Sequence, residues 1–128
     1  MTGIAVSVVV DVANVMGSQP NGWWRDRVGA AQRLLGGLAG LPGRELTGPA
    51  GTALTVQQVI AVVEGRARAV IDPDVAGLRV LRAEQDGDTA MVAEAKALVA
   101  AAGDPARVLV VTADRGLRAR LPLDCGAA

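Results

Sequence analysis

The chain has 128 residues and a mass of 13.0 kDa, with thirteen acidic and thirteen basic side chains and no formal net charge. That is the size of one domain, and a neutral chain gives no general electrostatic case for avid nucleic-acid binding. Apolar residues make up 51%, enough for a core, which argues against a wholly disordered chain.

Aromatic residues are nearly absent: Trp23 and Trp24 stand alone, with no Phe or Tyr. The core must come from Val, Leu, Ile and Ala, side chains that suit helices packed on a parallel sheet. The absence of His removes Ser-His-Asp and Cys-His catalysis and imidazole metal ligands. A single cysteine, Cys125, leaves no intramolecular disulfide, redox pair or cysteine zinc site. What remains for chemistry is mainly carboxylates, with Lys96, the arginines and a few hydroxyls. Twelve of the thirteen bases are Arg, which reads as genome composition before function. The apolar run Ile4 to Val10 stops at Asp11, far short of the roughly 20 residues that span a membrane. No basic residue precedes it, as a signal peptide would require, so a soluble cytoplasmic protein is expected.

In chain order, IAVSVVV at 4–10 reads as a strand buried on both faces. Residues 11–24 are rich in Asn, Gly, Ser and Pro and read as a loop. From about Arg25 to Leu38 the apolar positions Val28, Ala31, Leu34, Leu35 and Leu38 share one helix face. Residues 36–53, with six glycines and two prolines, read as a flexible connector. A strand is expected over 58–63 and loop with a helical turn over 64–77. An alternating strand near a sheet edge follows over 78–83. Thr89 to Ala102 is a second amphipathic helix, stopped by Gly103, Asp104 and Pro105. RVLVVT at 107–112 is a further strand, and 115–121 a short helix before Pro122. The tail LDCGAA is not strand-like. Strands alternating with helices imply an open parallel sheet.

Carboxylates fall where such a sheet binds ligands. Asp11 ends the first strand, Asp86 and Asp88 lie in the turn before the second helix, and Asp114 follows the last strand by two residues. In a parallel sheet the C-terminal strand ends share one rim, and ligands bind in the crevice there. Acids gathered at one rim repel unless a cation lies between them, and an oxygen-only set suits Mg²⁺ or Mn²⁺. Each acid also has a plain structural role open to it. Asp88 is an ordinary N-cap for a helix from Thr89, Asp86 a turn residue before Gly87, and Asp114 a cap for a helix at 115–121. Asp11 is harder to place: a carboxylate closing an apolar strand needs a partner, and Asn14 or a cation is the nearest. The Asn14 amide would orient a ligand or metal-bound water, or else shape the loop. Ser18 and Thr112 offer hydroxyls to a phosphate, or hold structure.

The segments VVVDVANVMG, DGDTAMVAEA and VVTADRGLRARL resemble the three motifs of PIN-like metal-dependent nucleases, the NYN branch in particular. In that family a hydrophobic strand ends in Asp with Asn three residues on. An Asp opens a later helix, and Thr/Ser-x-Asp follows a later strand. Asp11 and Asn14 match the first motif, Asp88 the second, and Thr112 with Asp114 the third. The resemblance runs from about Ile4 to Leu121 and is poor over 36–57. It implies a single PIN-like domain over 1–128. The fold would be a three-layer αβα sandwich with a mainly parallel sheet of four strands, or five. It also implies divalent-metal hydrolysis of RNA, less often DNA.

On that resemblance Asp11, Asp88 and Asp114 are the catalytic acids. With Asp86 they are the ligands of one or two Mg²⁺ or Mn²⁺ ions, which supply hydroxide and neutralise transition-state charge. Asn14, Thr112 and Arg115 are expected at the substrate. Arg25, Arg27, Arg118 and Arg120 are further phosphate contacts or a solvated helix face, and Trp23 and Trp24 stack a base or pack the helix start. Two departures stand out. Relatives carry another central acid, for which Glu64 or Asp86 is nearest, and they add a fifth strand after the last motif. The chain would therefore be truncated at that strand or leave a sheet edge bare, consistent with a homodimer. A protein inhibitor is a further candidate partner. Three other readings share the acids: a nucleotide phosphohydrolase, a phosphoacceptor domain (disfavoured because Lys96 lies mid-helix), and an inactive RNA- or protein-binding module.

Overall fold

A run of valines sets the centre of the molecule. The computed structural model describes residues 3–17, 25–48, 51–112 and 126–127. In it β1 (Ile4–Asp11) lies between β3 (Ala53–Val63) and β5 (Val108–Val111) and pairs with both in parallel. Side chains alternate across a strand. Val6, Val8 and Val10 accordingly enter one core and Val9 a second, which is why β1 is apolar on both faces apart from Ser7.

The first core is closed by α1 (Val12–Gly17) and α2 (Arg27–Leu38) through Val12, Met16, Ala31, Leu35 and Leu38. The second is closed by α3 (Gly87–Ala102) through Met91, Val92 and Ala95. Each fully buried side chain of the size of Leu35 or Met91 contributes about 1.5–3 kcal/mol by transfer from water. α2 begins where Asp26 accepts from the Gly29 N–H. α3 ends at Gly103, whose left-handed backbone (φ 73°) lets its N–H return to the Val99 carbonyl.

β3 is the longest strand and shares its second edge between two partners. β2 (Glu45–Thr47) pairs antiparallel with Ala53–Thr55, and β4 (Leu78–Arg82) pairs in parallel with Val59–Val63. A bulge at Gln57 separates the two stretches, since the β1 register jumps from Val6–Val56 to Ser7–Gln58. Gly77 fits into this junction with φ 85°. Its carbonyl accepts from the Val59 N–H at 2.7 Å, and a Cβ there would lie 2.6 Å from that of Pro42. On the far side β6 (Gly126–Ala127) pairs in parallel with β5.

Among the described residues the fold is therefore α/β with a six-stranded mixed sheet, where the sequence predicts a mainly parallel sheet of four or five strands. Four pairings are parallel and one, β2 with β3, is antiparallel. Several sequence expectations need correction. The expected loop after Asp11 opens with α1 instead, because Val12 and Met16, four residues apart, both reach the first core. The expected connector over 36–53 contains β2, whose turn toward β3 uses the glycines that read as flexibility. The strand expected at 58–63 starts at Ala53. The tail does contribute a strand: two small residues suffice because parallel pairing needs backbone groups alone. The helix expected at 115–121 lies outside the described residues. Among the described residues no helix is long and apolar enough to cross a membrane.

Candidate functional site

Parallel pairing brings the C-terminal ends of β1, β3, β4 and β5 to one edge of the sheet. Asp11 closes β1 there and is 7% exposed. Its Oδ1 accepts from the Asn14 backbone N–H at 3.2 Å, the bond by which an N-cap starts a helix, here α1. Its Oδ2 accepts from the Thr112 hydroxyl at 3.1 Å. Asp11 and Thr112 meet because positions 9 and 11 of β1 and positions 110 and 112 at β5 share the α3 side of the sheet. A buried carboxylate is thus oriented by two donors, one local and one 101 residues away.

The acids near α3 have structural partners. Asp86, not Asp88, is the N-cap: its carboxylate accepts from the Thr89 N–H at 2.7 Å and from the Thr89 hydroxyl at 3.1 Å. Asp88 follows in the first helical turn, where a negative charge faces the positive end of the helix dipole. Glu64, directly after β3, accepts from the Gly87 N–H at 2.7 Å, so the end of β3 and the start of α3 are tied together. Gly87 permits this approach, since a Cβ there would stand 3.1 Å from the Glu64 carboxyl carbon.

A cleft of about 430 Å³ opens beside this edge. It lies between α1, the start of α2, the 3-10 helix Gly65–Ala69 and the turn before α3. Ala13, Met16 and Ala67 form apolar walls, and Arg27, Arg66 and Gln85 supply polar groups. Arg82 fixes the 3-10 helix from β4 by donating to the Arg68 carbonyl at 3.0 Å and the Val70 carbonyl at 2.8 Å.

No protein-family model, no curated protein and no solved structure matches the chain. The site therefore rests on its own geometry. Of the expected residues, Asp11, Asn14 and Thr112 are together. Asp86 and Asp88 lie one residue apart from each other around the start of α3. Among the described residues no group of three acids, histidines or cysteines is placed to hold one metal ion. Asp114, the remaining expected ligand, lies outside the described residues, as do Ser18, Trp23, Trp24, Arg115, Arg118 and Arg120. The Thr112 hydroxyl, expected at a phosphate or in a structural role, donates to Asp11. Met16, Arg66 and Gln85 were not legible as cleft residues, because no local pattern signals that three separate elements face one space.

Proposed function

We propose that this protein is a divalent-metal-dependent ribonuclease of the PIN-like type. The observation that supports the reading is the hydrogen bond from Thr112, the hydroxyl residue of the third motif, to Asp11 of the first. Asp114 follows Thr112 by two residues, so a donor set of Asp11 and Asp114, with Asp88 or Asp86 from the start of α3, is the one to be tested. All its donors are carboxylate oxygens, which suits Mg²⁺ or Mn²⁺. Bound there, the ion would supply a metal-activated water and neutralise charge on the phosphorane-like transition state. Thr112 and the Asn14 N–H hold the Asp11 carboxylate in one orientation, and the buried strand end keeps it from swinging into solvent. The αβα layering of that family is the finer reading of this fold. It is supported by the four parallel pairings and by α3 packing on the core opposite to that of α1 and α2.

The test is cleavage of mixed-sequence RNA by the purified chain with Mg²⁺, Mn²⁺ or EDTA. Cleavage should require the metal and should fall by at least a hundredfold in Asp11→Asn and Asp114→Asn. RNA left intact in every lane, or cut equally by wild type and Asp114→Asn, overturns the proposal. RNA that binds without being cut points to the non-catalytic binding module. Release of inorganic phosphate from a nucleoside triphosphate points to the phosphohydrolase.

A further inference from the structure

The cleft beside Asp11 has the chemistry of a nucleotide site, and we propose that it holds one unstacked nucleotide of the RNA strand next to the bond that is cut. The base lies against Met16 and Ala67, and a phosphate meets Arg66. This assignment rests on the nuclease reading for its place beside the cleaved bond.

Four observations support it. At about 430 Å³ the cleft falls in the range of small-molecule sites and has room for a single nucleotide. Its walls combine the methyl groups of Ala13 and Ala67 with the Met16 thioether, a soft group that packs well against a ring. Arg27 and Arg66 reach its rim from two different elements, and a guanidinium matches the two oxygens of a phosphate. Gln85 brings an amide, which donates and accepts at a base edge.

The two acids in the cleft do not defeat this chemistry. The Glu64 carboxylate is engaged by the Gly87 N–H and the Asp86 carboxylate by Thr89, so both face the positive end of α3. The cleft also adjoins the acidic edge: Ala13 follows Asp11 by two residues, and Glu64 follows by two the Val62 that pairs with Asp11. A strand whose phosphate lay at Asp11 would thus have its neighbouring nucleotide beside Arg66. Recognition of RNA through splayed-out single bases is the form that suits such a site.

The same chemistry would be presented by a nucleotide in a strand or by a free nucleotide, and the experiment separates them. Binding of a fluorescein-labelled single-stranded RNA 8-mer to the full chain is followed by anisotropy in EDTA. Arg66→Glu is the comparison, with far-UV circular dichroism to show that it folds; Arg66 is exposed. Affinity should fall at least fivefold. The slope of log affinity against log salt should shrink by about 0.7, the loss of one single-strand phosphate contact. Gln85→Ala should change the preference among A-, C-, G- and U-rich 8-mers. Unchanged affinity and unchanged slope in Arg66→Glu overturn the assignment. AMP binding as tightly as the 8-mer makes a free nucleotide the occupant and also overturns it. If the 8-mer binds through Arg66 while mixed RNA stays intact with Mg²⁺ and Mn²⁺, the cleft assignment stands as a nucleotide site and the nuclease reading falls. If RNA is cut and Arg66→Glu leaves both binding and KM unchanged, the reverse holds.

Discussion

Thr112 donates to Asp11 across 101 residues of sequence, from the end of β5 to the end of β1. Both groups are buried, Thr112 at 2% exposure. Thr112→Val keeps the shape and removes the donor. It should lower stability by about 1–3 kcal/mol, the cost of leaving a buried acceptor short of a partner. Thr112→Ser should retain most of the wild-type value. Urea denaturation followed by far-UV circular dichroism measures both, and a valine variant as stable as wild type would deny the bond its structural role.

Glu64 joins the end of β3 to the first N–H of α3. Glu64→Ala removes that acceptor and should cost about 0.5–2 kcal/mol, as the loss of a helix cap does. Glu64→Gln keeps an accepting oxygen and should cost less. Amide hydrogen exchange gives the local readout: Gly87 should exchange faster in the alanine variant, while Val9 and Ile60 in the second core should change little.

Gly77 has a left-handed backbone and no room for a side chain. Gly77→Ala would place a methyl against Pro42 and should destabilise by about 1–3 kcal/mol. Gly103→Ala, where φ is also positive but nothing lies within 4 Å, should sit near the lower end of that range. Equal losses in the two variants would show that crowding at Pro42 contributes nothing.

Gln32 on α2 clamps the backbone of Ile71, donating to its carbonyl at 2.8 Å and accepting from its N–H at 2.9 Å. The Ile71 side chain itself is 76% exposed, so burial holds this segment weakly and the amide clamp holds it more. Gln32→Ala should speed limited proteolysis within 70–76 several-fold and shift the global melting temperature by no more than about 3 °C, since the clamp is surface-exposed. Proteolysis at the wild-type rate would assign the ordering to Arg82 alone.

Most of the fold was readable because its signals are local. The valine run of β1, the 3.6-residue spacing in α2 and the Gly103 stop of α3 each depend on neighbours in sequence. What escaped depended on partners far along the chain. α1 is a six-residue helix whose stability comes from Val12 and Met16 entering a core built by other elements. β2 and β6 are three and two residues long, and each exists because a longer strand offers it a backbone edge. The site divides in the same way. Asp11 stands out as a charge ending an apolar strand, with Asn14 or a cation as the nearest expected partner, and the Asn14 backbone N–H does donate to it. The exchange of roles between Asp86 and Asp88 at the α3 cap turns on where the first helical residue falls, a boundary that composition alone does not fix.

Among the described residues the two cores are built from aliphatic side chains and methionine, and the chain's aromatic rings are those of Trp23 and Trp24, both between α1 and α2 in sequence. Those core side chains do not themselves absorb near 280 nm, so the chain's absorbance there comes from the two tryptophans. Tryptophan emission follows one short stretch of chain and backbone ellipticity follows the rest, so the two signals can be read as separate channels. An RNA titration that moves emission while leaving ellipticity flat would register an event local to that stretch, set apart from any loss of the folded state by the choice of wavelength.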